Sequence, residues 1–278
     1  TMLSGTLDYG QGHASPFAQV LSEQTGIPFE RLRLLQGDSD QLKVGGGTGG
    51  SKSALVASQA FLEAGDKLIE QGKQIAAHVM EASAADIEFN RGRFTIAGTD
   101  RSIGIMDLAD KLRGGLKLPA DLPQSLDVSH ISDNPPFSFP NGCHVAEVEI
   151  DRETGVIEVE RYFMVNDFGT VINPMLVAGQ AHGGVVQGIG QALMEHAIFD
   201  AQGQPIAGTF MDYALPRAAD APDFSIENHS VPCKTNLLGV KGCGEAGCAG
   251  ALPSVMNAIV DALSEAGVTH VDMPVTPE

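Results

Sequence analysis

Apolar and polar positions change period several times along the chain, and each change predicts an element. The opening stretch through Leu7 reads as a strand. In "GQGHASPFAQVLSEQTG" the apolar stripe of Phe17, Val20 and Leu21 predicts a helix, with Ser15 as its N-cap, Pro16 at the first helical position and Gly26 closing it. "FERLRLL" alternates apolar with basic residues and reads as a strand ending at the turn "GDSD". A glycine loop then feeds a long helix in which Leu55, Leu62, Ile69 and Ala76 recur at heptad spacing. Ile87 and Phe89, then Phe94 and Ile96, alternate about "NRG" as a hairpin, and "SIGIMDLADKL" follows as a helix.

From about Leu116 to Pro140 the chain is rich in Pro, Asp and Ser without period, as expected of a connector. The division falls there, giving lobes 1–125 and 126–278. The second lobe opens with two alternating runs about "RETG", the strongest hairpin signal in the chain. A glycine-interrupted helix, "INPMLVAGQAHGGVVQGIGQALMEH", comes next; its glycines let it lie close to another backbone or to a ligand. "PIAGTFMDYALP" and "FSIENHSV" read as strands, and a last helix runs through Ala262. Strands and helices interleave but hairpins are frequent, so the expected class is α+β, two lobes of mixed sheets with packed helices.

The net charge of −18 over 278 residues is spread along the sequence with no basic cluster, which argues against nucleic acid and anionic membranes as partners. No apolar run is long enough to span a bilayer and no signal peptide is evident, so a cytoplasmic location without membrane insertion is expected. Cys143, Cys233, Cys243 and Cys248 lack the spacing of a zinc or iron–sulfur ligand set, and no histidine pair has helical metal-site spacing. Metal held directly by side chains is therefore not expected.

Three segments repeat one design, a polar or glycine-rich loop entering a helix: 10–15, 45–53 and 239–250, with 180–190 a looser fourth. Each can turn backbone N–H groups toward an anion. Taken singly, each is better read as a tight turn; four together point to a large ligand with phosphates. "GGGTGGSKSA" is not a Walker loop, and "GCGEAG" matches the dinucleotide pattern only in isolation, so a nicotinamide-dinucleotide domain is disfavoured. Gln11 and Gln180 place amides on such loops, where they can donate to and accept from a heteroaromatic ring. Lys241 stands near Glu245, a lone acid on a bare loop, where it can anchor a phosphate or lower that acid's pKa.

In order along the chain, "GQGH" at 10–13, "GGGTGGSKSA" at 45–54, "GQAHGGVVQGIGQAL" at 179–193, "MDYALP" at 211–216 and "GVKGCGEAG" at 239–247 resemble the molybdenum hydroxylases. That family includes xanthine dehydrogenase, aldehyde oxidoreductase, carbon monoxide dehydrogenase and nicotinate dehydrogenase. The resemblance is to the C-terminal half of the molybdopterin-binding subunit. It implies molybdopterin with molybdenum, as the cytosine dinucleotide or its mononucleotide form, contacted by Gln11, Gly12, His13, Thr48, Gly50, Ser51, Ser53, Gln180, Lys241, Gly242 and Gly244. Glu245 matches the catalytic base of a hydroxylation at an electron-poor carbon of a small molecule, with water as oxygen source. It further implies an N-terminal molybdenum-binding half or subunit, a [2Fe-2S] iron–sulfur subunit and an FAD subunit as partners, without which the chain is expected to be inactive. The rival expectation is a non-catalytic molybdopterin-binding or assembly module.

Overall fold

The computed structural model describes residues 1–133 and 135–277. Its contacts divide the chain into a first unit, Thr1–Phe137 with Lys234–Leu238, and a second, Ser138–Cys233 with Gly239 onward.

In the first unit β1 (Met2–Leu3) pairs in parallel with β2 (Leu34–Leu35), and α1 (Ala14–Thr25) lies between them in sequence. Gly26 ends α1 with φ of 65°, a left-handed conformation that glycine takes without a Cβ penalty. The 28-residue helix α2 (Ser53–Met80) serves two small cores. Its first half packs Ala57 and Phe61 against Phe17 and Met2, and its second half packs Ile75 and Ala76 on Phe94, Ile103 and Leu108. Those last residues come from the antiparallel sheet β3 (Ile87–Asn90), β4 (Arg93–Ile96) and β5 (Ser102–Gly104), and from α3 (Ile105–Arg113). Gly72 belongs in mid-helix because a Cβ there would strike the Phe94 ring.

In the second unit β6 (Asn141–Ile150) and β7 (Ile157–Asp167) form the expected hairpin, and β8 (Asp223–Asn228) pairs in parallel with β7. Two helices, α4 (Pro174–Leu193) and α5 (Ala246–Ala262), complete the core, in which Tyr162, Met164, Val185, Ile189, Val255 and Ile259 are buried. Two of the glycines that interrupt α4, Gly184 and Gly188, serve this packing. A Cβ on Gly188 would come 2.6 Å from the Ala251 methyl, one on Gly184 3.0 Å from Gly247 Cα, and one on Gly247 2.6 Å from the Ala181 carbonyl. Of the two uses foreseen for them, approach to another backbone is what these positions show. Mixed sheets with packed helices make the chain α+β.

Five local expectations are corrected. The first strand ends at Leu3, and residues 29–31 form a 3-10 turn, because among the described residues β1 and β2 pair over two residues alone. Helix α1 starts at Ala14 with His13 as N-cap rather than Ser15, since the Asp8 carboxylate fixes the entering loop. The segment 205–216 is turns instead of a strand: Phe210 and Met211 are 87% and 93% exposed, so no face is packed, and Tyr213 N–H donates to the Thr209 carbonyl within the turn. Residues 102–104 form β5 before α3 begins. Among the described residues no helix is long and apolar enough to cross a membrane.

Candidate functional site

The loop of residues 8–13 is organised by a carboxylate. Asp8 accepts from the N–H groups of Gly10 and Gly12 through Oδ1, at 2.7 and 3.2 Å, and from His13 N–H through Oδ2 at 2.7 Å. Burial pushes the Asp8 pKa up, but the three N–H groups reverse this and the net shift is downward. Positive φ at Gly10 and Gly12 turns those N–H groups inward. Gln11, half-buried, accepts from Tyr9 N–H through Oε1. His13 is buried at 6% exposure, its ring 5.1 Å from that of Phe17. Burial lowers its pKa despite the Asp8 charge, so its imidazole is part of the packed interior.

At the entry to α2, Thr48 Oγ1 lies 2.9 Å from Ser53 Oγ and accepts from Leu7 N–H at 3.1 Å, tying the glycine loop to the first strand. Gly50 and Ser51 follow one another in left-handed conformations, φ 66° and 52°. A Cβ on Gly46, Gly49 or Gly50 would meet nothing within 4 Å, so packing within the chain does not require glycine there. Gly45 differs, because its Cβ would come 3.1 Å from the Gly5 carbonyl.

In the second unit a second carboxylate plays the part of Asp8. Asp167 Oδ1 accepts from Gly169 N–H and Val231 N–H, both at 2.9 Å, and Oδ2 pairs with Lys241 Nζ at 2.5 Å. Burial raises the Asp167 pKa, yet Lys241 and the two N–H groups hold it at about 2. The Thr170 N–H to Gly239 carbonyl bond (2.8 Å) and the Lys241 N–H to Phe168 carbonyl bond (2.9 Å) then fasten the 239–241 loop to the end of β7. The Lys241 ammonium is thus held by Asp167. Gly242 is buried, Gly244 is exposed, and Glu245 is exposed at the N-cap of α5. Burial lifts the Cys248 thiol pKa, and the charges of Glu195 and Glu245 lift it further. Gln180 is half-buried on α4.

Neither aspartate is among the residues expected to matter. Both head the same tripeptide type, Asp-aromatic-Gly, "DYG" at 8–10 and "DFG" at 167–169, and each makes the side-chain bond to the glycine N–H two residues on. That Asx turn is the signal by which they are recognisable. The first unit therefore carries Gln11, Gly12, His13, Thr48, Gly50, Ser51 and Ser53, and the second carries Gln180, Lys241, Gly242, Gly244 and Glu245.

One feature unites the loops across both units. Among the described residues, α1, α2 and α5, which follow the glycine loops, start without a side-chain cap bond, whereas α4 is capped by Asn173 accepting from Leu176 N–H at 3.1 Å. Helix starts of this kind present N–H groups and a positive dipole end to an anion.

Comparison with known proteins gives these loops a context. The model of the molybdopterin cofactor-binding domain matches residues 1–222. The carbon monoxide dehydrogenase large chain of Hydrogenophaga pseudoflava is 37% identical over 273 residues, covering 98% of this chain and 34% of the relative. The nicotine 6-hydroxylase large subunit of Paenarthrobacter nicotinovorans is 36% identical over 280 residues, covering 100% and 34%. A solved Cu,Mo-CO dehydrogenase in its carbon monoxide reduced state superposes with a TM-score of 0.86 at 31% identity, covering 98% of this chain and 34% of that one. The chain thus spans about a third of the length of these relatives.

Proposed function

Because the chain belongs to the molybdenum hydroxylase family, as a molybdopterin cofactor-binding domain, we propose that it holds a molybdenum-bearing pterin on its glycine loops and supplies Glu245 as general base for hydroxylating an electron-poor carbon, with water as the oxygen source. The observation that carries this reading is the start of α2, which lacks a side-chain cap and follows Gly46, Gly49 and Gly50, whose Cβ positions meet nothing within 4 Å. Such donors fit a ligand with phosphates and a heterocycle. Ser51 and the α2 start would hold the phosphate arm, while the amides of Gln11 and Gln180 would read ring edges. Asp8, already seated on the N–H groups of the first loop, keeps Gln11 oriented, so that loop contributes its amide side chain more than its backbone. The cytosine dinucleotide form is part of the proposal.

When bound, the molybdenum centre supplies the capacity to accept two electrons from the substrate. A Glu245 carboxylate oxygen takes the proton from the oxygen nucleophile as it attacks. The exposed position of Glu245 on a loop braced by the Asp167–Lys241 pair makes its carboxylate reachable by a ligand laid along residues 242–245. Since the relatives bear the names large chain and large subunit, we assign the remaining functions to partner polypeptides: a further molybdenum-binding half, a [2Fe-2S] subunit and an FAD subunit. The small-molecule substrate is taken to be an electron-poor carbon compound, in keeping with the nicotine hydroxylase among the relatives.

The test is Glu245→Gln in the assembled enzyme. Removal of a general base lowers turnover by about 10²–10⁴-fold, and molybdenum and pterin contents should stay at wild-type levels. Near-normal turnover at full cofactor content would remove Glu245 from the mechanism, and full cofactor content with no turnover in the wild-type assembly would favour a non-catalytic binding module.

A further inference from the structure

Of the ordered motifs, "MDYALP" at 211–216 contributes no residue to the proposed cofactor and base site. It closes a loop, 195–216, that leaves the end of α4 and returns to it. The Tyr213 hydroxyl donates to Glu195 Oε2 at 2.8 Å, and a Cβ on Gly190 would strike both Glu195 Oε1 and the Pro216 ring, so both ends of the loop sit on one glycine of α4. Between these ends the loop holds its own shape. Phe199 and Pro205 form an antiparallel bridge, Ile206 N–H donates to the Ile198 carbonyl at 2.9 Å, and Asp200 Oδ1 accepts from the N–H groups of Gln202 and Gln204, both at 2.9 Å. The next turn is fixed by Thr209, whose hydroxyl donates to Asp212 Oδ2 at 2.7 Å and accepts from Met211 N–H at 3.2 Å.

The apolar side chains of the loop take little part in this. Phe199 and Ile206 are 61% and 54% exposed, and Phe210 and Met211 almost wholly so. At about 200 Å² for an aromatic side chain, the two phenylalanines alone leave roughly 300 Å² bare, and Met211 adds nearly all of its own. Monomers rarely show that much apolar surface on one loop unless something binds it. The turns already order the segment, so docking costs little further entropy.

The surface of the whole chain points the same way. It exposes 16318 Å², whereas even two independent globules of half its 29.1 kDa each would expose about 13,800 Å². The surplus of about 2,500 Å² matches one partner's share of an obligate interface, about 1,000–2,500 Å². A second copy is a poor occupant, because each copy carries a net charge of −18 and the charged residues of 198–215 are Asp200 and Asp212, both acidic. An anionic membrane is disfavoured on the same ground. The relatives point to a different occupant: this chain spans 34% of their length, and the rest of such a large chain is available to cover its neighbour.

We propose that the crown of this loop, Phe199, Ile206, Phe210 and Met211, is the surface on which the further molybdenum-binding half docks, with Phe210 and Met211 seated in an apolar groove that carries basic groups at its rim. The proposal rests on the assignment of that half as a partner and is independent of the role of Glu245.

The experiment places p-benzoylphenylalanine at position 210 of the assembled enzyme, irradiates it and identifies the cross-linked peptides by mass spectrometry. The expected cross-links are to the further molybdenum-binding half. In the unmodified assembled enzyme, hydrogen peroxide should convert Met211 to its sulfoxide at least about ten-fold more slowly than in the same enzyme unfolded in urea. If the enzyme carrying the probe at 210 does not assemble, the probe goes to Gln202, exposed in the hairpin turn. Cross-links to a second copy of this chain, to the iron–sulfur or FAD subunit, or to no protein overturn the proposal, as does Met211 oxidation at the unfolded rate. An enzyme that gives the expected cross-links but holds no pterin leaves this interface standing and removes the cofactor reading instead.

Discussion

Asp167→Asn isolates one interaction, because the single side-chain oxygen of asparagine still accepts from Gly169 and Val231 while the ion pair to Lys241 disappears. The two side chains are 15% and 11% exposed, so solvent screens the pair weakly. A fall in pKa from 3.8 to about 2 on folding corresponds to roughly 2 kcal/mol at neutral pH, at about 1.4 kcal/mol per unit, an upper bound on the share of Lys241 because the Val231 and Gly169 N–H groups contribute to the same shift. Leaving the Lys241 ammonium without a counter-charge adds to this, and the expected loss is about 3 kcal/mol.

The folded pKa of Asp167 lies below its unfolded value. Its contribution is therefore fully present above about pH 4 and is lost as pH falls through about 2. Urea unfolding followed by circular dichroism at pH 7, 5.5 and 3 measures the gap between wild type and variant, and hydrogen exchange of β7 amides reports on the second unit specifically. The gap should be equal at the two higher pH values and shrink by roughly half of its linkage part at pH 3. A gap that is below about 0.5 kcal/mol at pH 7, or that does not narrow at pH 3, would refute the argument that the pair braces this loop.

Gly247→Ala should destabilise the chain by about 1–3 kcal/mol, since the new methyl would meet the Ala181 carbonyl at 2.6 Å and Val185 N at 2.7 Å, backbone atoms unable to turn aside; denaturant unfolding measures it. Gly46→Ala and Gly49→Ala face open space at ordinary φ, so the stability of the chain alone should change by less than about 0.5 kcal/mol. The same substitutions should lower the pterin content of the assembled enzyme, and unchanged content in both would show that nothing approaches this loop closely. Burial pushes the Cys243 thiol to about 11, leaving little thiolate at pH 8, so iodoacetamide with mass spectrometry should label exposed Cys143 well before Cys243.

The hairpin about "RETG", the long helix α2 and the C-terminal helix α5 were legible because each is a local matter: alternation, heptad recurrence and turn residues act within a few positions. The strand reading at 29–35 held only at Leu34–Leu35, and that at 205–216 failed, for the converse reason. A strand exists only if a partner edge and a packed face are supplied, and neither can be seen from the segment itself. The glycines of α4 show the same limit: their spacing signals close approach, but only packing against α5 shows that the approaching group at 184 and 188 is a helix.

For the candidate site, sequence alone determined which loops carry glycine, amides and the single acid Glu245, because ordered motifs preserve residue type and spacing. Tertiary structure decided what each polar group faces. It seats Asp8 on the first loop's N–H groups, directs Lys241 to Asp167 and turns His13 inward against Phe17. Partnerships of this kind join residues as far apart as 167 and 241. Their energies depend on burial and direction, which no linear pattern encodes.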